Sequence, residues 1–198
     1  GNTIDKLSLR KSDFSLQKDA DAVIHLAGKA HDTANTSAAD EYFKVNTDIT
    51  IKLFEDFLNA DVGDFIYFSS VKATADTIEG ILDENHSSDP KTPYGKSKLQ
   101  AENYLLSKAL PSGKRVFIIR PCMIHGPGNK GNLNLLYKMV EKGIPWPLAD
   151  FENQRSFLSI DNLNFLIERI VSDQNIKSGI YNFSDDQALS TNDLVKII

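Results

Sequence analysis

The sequence predicts an α/β protein with a doubly wound parallel sheet. Short apolar runs alternate with segments of helical periodicity along the chain. The apolar runs are rich in β-branched and aromatic residues, as buried parallel strands are. Because parallel strands need helical crossovers between them, this alternation favours a parallel sheet with right-handed connections.

The predicted strands are apolar runs that are bounded by turn residues. The first ends at Gly28, the second runs into Ser69 and Ser70, and the third ends at Pro121. Runs of this length and composition are typical of strands rather than helices. The predicted strands are residues 22–27, 65–68, 116–121, 157–160 and 179–184.

The predicted helices repeat apolar residues at intervals of three and four. Pro111 and Gly113 stop the second helix, and Asp161 and Thr191 are predicted to cap the last two. The predicted helices are residues 40–60, 94–109, 133–142, 161–171 and a last one from 191 to the end.

The composition disfavours several kinds of partner. The net charge is −5 and the 22 basic residues are dispersed, which disfavours nucleic acid. No apolar stretch approaches the ~18 residues of a membrane helix, so no membrane association is expected. The single cysteine, Cys122, precludes an internal disulfide and fits a reducing compartment, which we take as the cytoplasm. The four histidines lack metal-ligand spacing, so no metal site is expected.

Residues 126–131 match the glycine motif G-x-G-x-x-G, which cradles phosphate at the start of a helix. That motif normally leaves the first strand directly, whereas this match follows at least two strands and stands apart from the third. The helix behind it leads into Gly143 and two prolines, which do not suit a central strand. We therefore interpret these residues as a loop with tight turns.

Tyr94 and Lys98 lie four residues apart at the start of a predicted helix, so their side chains project from one face. A nearby cation favours the phenolate, which makes a tyrosine a usable base nearer neutral pH. Ser70 follows the second strand, at the sheet edge where such folds bind ligands. The pattern predicts proton transfer. The alternative is that Ser70 only closes a turn and that Tyr94 and Lys98 lie on a solvent-exposed face of the helix.

The same spacing recurs at Tyr104 and Lys108. Tyr94 opens its helix after two prolines, where a side chain can face the ligand edge of the sheet. Tyr104 lies in mid-helix instead. We interpret Tyr104 as a packing residue of an amphipathic helix.

Six segments in order resemble the extended short-chain dehydrogenases/reductases, a family of nucleotide-sugar epimerases and related enzymes. The resemblance covers almost the whole chain, and ordered matches are far more specific than any one motif. The segments are DAVIHLAG (21–28), VNT (45–47), YFSS (67–70), PYGKSK (93–98), RPCMIHGPG (120–128) and QRSFLSIDNL (154–163).

The resemblance implies a Rossmann-like fold and a role for each matching residue. Tyr94 would be the acid or base at a sugar hydroxyl that Ser70 also orders. Lys98 would hold the nicotinamide ribose and lower the pKa of the tyrosine. The implied cofactor is NAD, with NADP as the alternative. The residues implied to contact it are Ala27, Gly28, Lys29, Asn46, Ser69, Tyr94, Lys98, Pro121 and Ile124.

The resemblance also implies a UDP-sugar substrate and a homodimer. Asn132, Leu133 and Arg155 would hold the UDP, with the arginine on the pyrophosphate; a surface arginine is the alternative. The dimer would use the helices near 40–59 and 94–109. The implied parts are 1–125 for NAD binding, 126–159 for the nucleotide sugar, 160–184 returning to the sheet and 185–198 beginning a C-terminal substrate region.

The sequence departs from the family pattern at several positions. The glycine-rich first turn and the acidic ribose-binding residue are absent, so we expect the middle part of a longer protein. Cofactor choice, and cofactor binding by this chain alone, stay open. His125 stands where tyrosine is usual and Ser156 where aspartate is usual. Val71 and Lys72 replace the acid pair of the 4,6-dehydratases, which disfavours dehydration.

Three functions remain. The leading hypothesis is a UDP-sugar 4-epimerase that works by transient oxidation at C4. The same residues acting once would make a 4-keto-sugar reductase of surface-polysaccharide synthesis, and the sequence does not choose between the two. A non-catalytic dinucleotide-binding module would not need Ser70, Tyr94 and Lys98, all of which are present.

Overall fold

The computed structural model describes residues 2–9, 14–16, 19–30, 38–128, 132–147, 150 and 153–198. The strands are β1 (Ala22–His25), β2 (Asp64–Phe68), β3 (Arg115–Pro121), β4 (Met123–His125), β5 (Phe157–Ser159) and β6 (Gly179–Phe183). The helices are α1 (Ala39–Phe43), α2 (Ile49–Asn59), α3 (Pro93–Ser107), α4 (Asn132–Glu141), α5 (Ile160–Ser172) and α6 (Thr191–Ile197). A π-helical turn, Lys44–Asp48, joins α1 to α2, and a 3-10 turn, Val71–Ala73, follows β2. Within these described ranges, no helix has both the length and the apolar character needed to cross a bilayer.

Four strands form one sheet in the order β1-β2-β3-β6, and β4 pairs with β5 in a second sheet. β1, β2 and β3 are parallel, with Ala22 opposite Asp64 and Phe68 opposite Ile119. β4 and β5 are parallel as well. The predicted α/β fold with a parallel sheet is therefore confirmed. Because parallel strands end at one edge of the sheet, the segments that follow β1 and β2 emerge on the same side.

The chain divides into two compact units. The first comprises residues 1–120 and 175–182, and the second comprises residues 121–174 and 183–198. The core of the first is an aromatic cluster where α2 packs on β2. Phe54 and Phe57 of α2 have ring centroids 5.7 Å apart, and Phe65 of β2 meets Phe54 edge-on at 5.1 Å. All three side chains are completely buried, and such rings dominate core energetics.

In the second unit, β5 leads directly into α5. Gly126, which follows β4, lies so close to this helix that a Cβ there would be 2.6 Å from Ile160 Cγ2. Asp185 accepts hydrogen bonds from the Ser159 N–H at 3.1 Å and the Asn162 amide at 2.7 Å. The glycine thus serves close packing of a loop on a helix. The remaining part of the glycine motif, residues 129–131, lies outside the described residues.

Local structure differs from the sequence prediction at three places. The π turn interrupts the predicted helix 40–60. The sequence did not predict this turn, because the apolar periodicity continues across it. Strand β4 was not predicted, since three residues after a proline carry too little pattern. Ser159 and Ser190, rather than Asp161 and Thr191, cap α5 and α6. Their hydroxyls accept N–H groups three residues further on, so the capping residue precedes the predicted one by two positions in α5 and by one in α6.

We expect Phe54→Ala to lower the free energy of unfolding by about 3–5 kcal/mol, because it leaves a cavity among rings that cannot collapse into it. Leu106→Ala is the matched control, since Leu106 is 53% exposed on α3. Its effect should stay within about 0.5 kcal/mol. Urea unfolding followed by circular dichroism measures both, and equal losses would contradict the assigned core.

Candidate functional site

Local sequence signals fix the first turn of α3. The Thr92 hydroxyl accepts the Gly95 N–H at 3.2 Å, and Pro93 occupies a position where no N–H is needed. Gly95 contacts the preceding loop so closely that a Cβ there would lie 2.3 Å from the Lys72 carbonyl oxygen. The start of the helix is therefore held against the loop that follows β2.

Tyr94 and Ser70 meet at the carboxyl edge of the sheet. The Ser70 Oγ accepts the Lys72 N–H at 3.2 Å, which leaves its own proton for another acceptor. The Tyr94 and Ser70 side chains lie close enough to interact. Burial raises the pKa of Tyr94, and the interaction with Ser70 lowers it by less.

Lys98 lies one turn beyond Tyr94 and is only 5% exposed. Its ammonium donates to the Phe68 carbonyl at 2.8 Å and lies 4.9 Å from the centroid of the Tyr67 ring. Burial lowers the pKa of Lys98 to about 8, and the Glu102 carboxylate acts in the opposite direction. Lys98 is therefore a desolvated cation fixed at the end of β2.

The segment after β1 passes close to this ammonium. A Cβ on Gly28 would lie 3.1 Å from Lys98 Nζ and 3.1 Å from Asn46 Oδ1. A side chain at this position would have to push both atoms away by a few tenths of an ångström. Ala27 and Gly28 are themselves exposed, so backbone next to Lys98 remains open to solvent.

Asn46 joins the segment after β1 to α3. Its Oδ1 accepts the Lys29 N–H at 2.7 Å, and its amide donates to the Lys29 carbonyl at 3.1 Å. The same amide donates to Ser97 Oγ at 3.0 Å, and the Ser97 hydroxyl donates to the Tyr94 carbonyl at 2.8 Å. Asn46 is completely buried in the π turn. This chain of hydrogen bonds fixes the loop relative to Tyr94.

Sequence reasoning missed two buried polar groups near Lys98. His25 of β1 has its Nε2 2.8 Å from the Thr50 hydroxyl, and burial together with the Lys98 charge lowers its pKa to about 3. Glu102 lies one turn past Lys98 and pairs with Arg120 of β3. The four-residue spacing from Lys98 was an available signal for Glu102. His25 interrupts an apolar run, which does not indicate a partner.

The second Tyr/Lys pair faces α2 instead of the sheet edge. The Tyr104 hydroxyl donates to Glu55 Oε1 at 2.5 Å, and the Lys108 ammonium lies 2.9 Å from the same oxygen. The Tyr104 ring packs against the hydrophobic core. The interpretation of Tyr104 as a packing residue is confirmed.

Two of the predicted substrate residues line one cavity of the second unit. Leu133 and Arg155 share a cavity of about 350 Å³ with Trp146 and Asn153, and most other lining residues are Leu, Met or Phe. The Trp146 Nε1 is buried without a hydrogen-bond partner among the described residues. The side chain of Asn132 lies outside the described residues. An apolar wall that includes an arginine can hold a flat ring that carries an anionic group.

The structure brings together the predicted residues of the first unit. Pro121 and Ile124, also predicted to contact the cofactor, belong to the second unit, where Pro121 is buried and Ile124 half-buried. The predicted residues that share the first unit with Lys98 are Ala27, Gly28, Lys29, Asn46, Ser69, Ser70 and Tyr94.

Comparison with known proteins finds sequence relatives over most of the chain. The model described as the NAD dependent epimerase/dehydratase family matches residues 4–183. A UDP-glucose 4-epimerase of Vibrio cholerae is 35% identical, and an N-acetyl-alpha-D-glucosaminyl-diphospho-ditrans,octacis-undecaprenol 4-epimerase of Escherichia coli O157:H7 is 33% identical. A GDP-6-deoxy-D-mannose reductase of Pseudomonas aeruginosa is 25% identical. These matches cover 93%, 88% and 90% of this chain but only 58%, 53% and 62% of the relatives, so the chain spans little more than half their length.

A solved structure shares the fold. MoeE5 in complex with UDP-glucose and NAD superposes with a TM-score of 0.76, at 24% identity. The match covers 89% of this chain and 60% of that chain. It supports the Rossmann-like arrangement of the parallel sheet.

We expect Lys98→Met to change how stability depends on pH. The pKa of Lys98 is about 8 in the folded protein against an ordinary 10.5, so the unfolded chain binds the proton more tightly. The cost of the buried charge is fully present below about pH 8 and is relieved as the pH rises towards about 10.5. Wild type should therefore gain stability over the variant in that interval.

Urea unfolding of both proteins at about pH 7 and about pH 10 measures this difference. Lys96→Met, at an exposed position of the same helix, is the control and should show no such gain. A pH dependence that is the same in wild type and Lys98→Met would contradict the burial of a charged Lys98.

Proposed function

This chain belongs to the NAD dependent epimerase/dehydratase family, and on that basis we propose that it is the catalytic part of an NAD-dependent nucleotide-sugar 4-epimerase. The observation that carries the proposal is that the Tyr94 side chain interacts with Ser70 and that the buried Lys98 on the same helix donates to the Phe68 carbonyl at the end of β2. Two groups able to transfer a proton and one cation thus lie towards the sheet edge where such folds bind ligands. Two relatives above 30% identity are 4-epimerases, which supports this reaction over others.

The residues around Lys98 fit the ribose of a nicotinamide dinucleotide. An ammonium has three N–H donors, and the Phe68 carbonyl accepts one of them, so donors remain for ribose hydroxyls. Gly28 keeps the space next to Nζ free, because a Cβ there would lie 3.1 Å away. A nicotinamide bound there would supply the hydride acceptor and donor for C4 of the sugar. NADP is the alternative cofactor.

Tyr94 is proposed to move the proton at the sugar O4. As a phenolate it takes this proton when the carbinol is oxidised, and as a phenol it returns the proton when the keto group is reduced. Ser70 donates a hydrogen bond to the same oxygen. Because burial raises the pKa of Tyr94, the phenolate needs the Ser70 hydroxyl and the fixed charge of Lys98 to form near neutral pH.

The cavity of the second unit is proposed to hold the nucleotide of a UDP-sugar. Arg155 presents a planar fork of donors that suits a diphosphate. The Trp146 ring belongs to the wall against which the base would lie. Leu133 belongs to that wall.

The assembly is proposed by resemblance as well. A homodimer would use the helices near 40–59 and 94–109, which correspond to the segment containing α2 and to α3. The assignment of 126–159 to nucleotide-sugar binding and of 1–125 to NAD binding is part of the same proposal.

A 4-keto-sugar reductase is the alternative function. The same three residues acting once would protonate the oxygen of a keto sugar as it is reduced. The 25% identity to a GDP-6-deoxy-D-mannose reductase favours this reading. In the epimerase the keto sugar rotates in the pocket and is reduced on its other face. In the reductase the keto sugar is reduced once and the product is released.

We expect Tyr94→Phe to lower kcat by about 10²–10⁴-fold, because it removes the proton-transfer group. The ring contact with Tyr42, 6.3 Å between centroids, should keep the variant folded. Cofactor binding should remain, as measured by calorimetry with NAD. Tyr104→Phe is the matched control and should keep wild-type turnover. Equal turnover of Tyr94→Phe and wild type would end the catalytic assignment.

Product analysis separates the candidate functions. With a UDP-hexose and NAD, a 4-epimerase forms the epimer without a net change in NADH absorbance. Stoichiometric consumption of NADH with a 4-keto sugar would instead support the reductase. Dinucleotide binding without either reaction would support a non-catalytic module.

A further inference from the structure

A buried ion pair lies one turn beyond the catalytic lysine, and the proposed chemistry does not use it. The side chains of Glu102 and Arg120 are 1% and 3% exposed. Arg120 Nε lies 3.0 Å from Glu102 Oε1, and Arg120 Nη2 donates to Oε2, so the contact is bidentate. Because Glu102 is on α3 and Arg120 on β3, the pair ties this helix to the sheet.

The same carboxylate holds the end of β2. The Ser69 hydroxyl donates to Glu102 Oε1, and the neighbouring Phe68 carbonyl accepts from Lys98 at 2.8 Å. The two residues immediately before Ser70 are therefore both bonded to α3. The position of Ser70 relative to that helix depends on these two contacts.

Stability alone does not account for an ion pair at this depth. Removing two charges from water carries a desolvation penalty, and apolar replacements of such pairs are often as stable. We propose that the Glu102–Arg120 pair is a positioning element of the catalytic site, which presents Ser70 through Ser69, and that the Glu102 carboxylate of the pair offsets part of the charge of Lys98. This inference rests on the proposed function.

The groups around Lys98 leave Glu102 as the source of negative charge. His25 of β1 is neutral, since its pKa is lowered to about 3, and burial raises the pKa of Tyr67 of β2, so it is uncharged. Tyr94 on the same helix has a raised pKa as well. Arg120, on β3, is engaged by the carboxylate itself. In the described part of the chain, Glu102 is thus the group that opposes the loss of the Lys98 proton.

Charge balance is tested with Glu102→Gln, which keeps an acceptor for Ser69 and removes the charge. The titration of Lys98 is followed by NMR through its ¹³Cε shift, assigned with Lys98→Met. We expect the midpoint to fall by about one pH unit or more, and the alkaline limit of kcat/KM to move with it. The NMR readout needs neither substrate nor cofactor. A wild-type midpoint overturns the proposal.

Positioning is tested with Glu102→Met combined with Arg120→Leu, which leaves no lone buried charge. We expect kcat to fall about tenfold to a hundredfold while KM stays within about threefold, because Ser69 loses its acceptor. Should this variant not fold, Glu102→Asp takes its place, since it keeps the charge but shortens the reach to Ser69. A wild-type kcat in the folded variant overturns the proposal.

The matched control is an ion pair at the other end of β3, which joins this strand to β2. Arg115 donates to the Asp64 carboxylate at 2.7 and 2.6 Å. Asp64→Leu with Arg115→Met should leave kcat and the Lys98 titration unchanged, and an equal loss in both pairs would show a merely structural role.

A wild-type protein without epimerase or reductase activity would refute the proposed function instead. If the wild type is active and the Glu102 variants keep its kcat and its Lys98 titration, only the positioning role is refuted.

Discussion

The burial of the Lys98 ammonium is the constraint on which the polar contacts at the carboxyl edge of the sheet depend. A charge that is 5% exposed needs polar partners at short range, and it has the Phe68 carbonyl, the Tyr67 ring and the nearby Glu102 carboxylate. These partners lie on both α3 and β2, so they tie the helix to the end of the strand. The lowered pKa of Lys98 shows that the charge still costs free energy, which is common at functional sites.

The apolar core and the polar sheet edge of the first unit stabilise it in different ways. Phe54, Phe57 and Phe65 pack α2 on β2 through contacts that are strong but carry little directional information. Directional information comes from hydrogen bonds at the carboxyl edge, where Asn46 holds the loop after β1 to α3. A site that moves a proton needs both, because its groups must keep their distances while a substrate enters and leaves.

The cavity of the second unit is mainly apolar, in contrast to the polar sheet edge of the first unit. Its cavity is walled mainly by apolar side chains, and its few polar groups, Arg155, Asn153 and Trp146, stand within that wall. Such a cavity contributes affinity and orientation rather than proton transfer. The Asn153 amide donates to Thr191 at 2.9 Å, which leaves Arg155 as the polar group suited to a ligand.

Sequence by itself determined the features that depend on local period and spacing. The alternation of strands and helices follows from the repeat of apolar residues, and Tyr94 and Lys98 share a helix face because they lie four residues apart. Tertiary structure alone decided the partners. Arg120 meets Glu102 from 18 residues away, and Phe68 meets Lys98 from 30 residues away, through the packing of α3 on the sheet. The lowered pKa of Lys98 and the neutral state of His25 arise from burial, which is a property of the folded surroundings and not of any residue type.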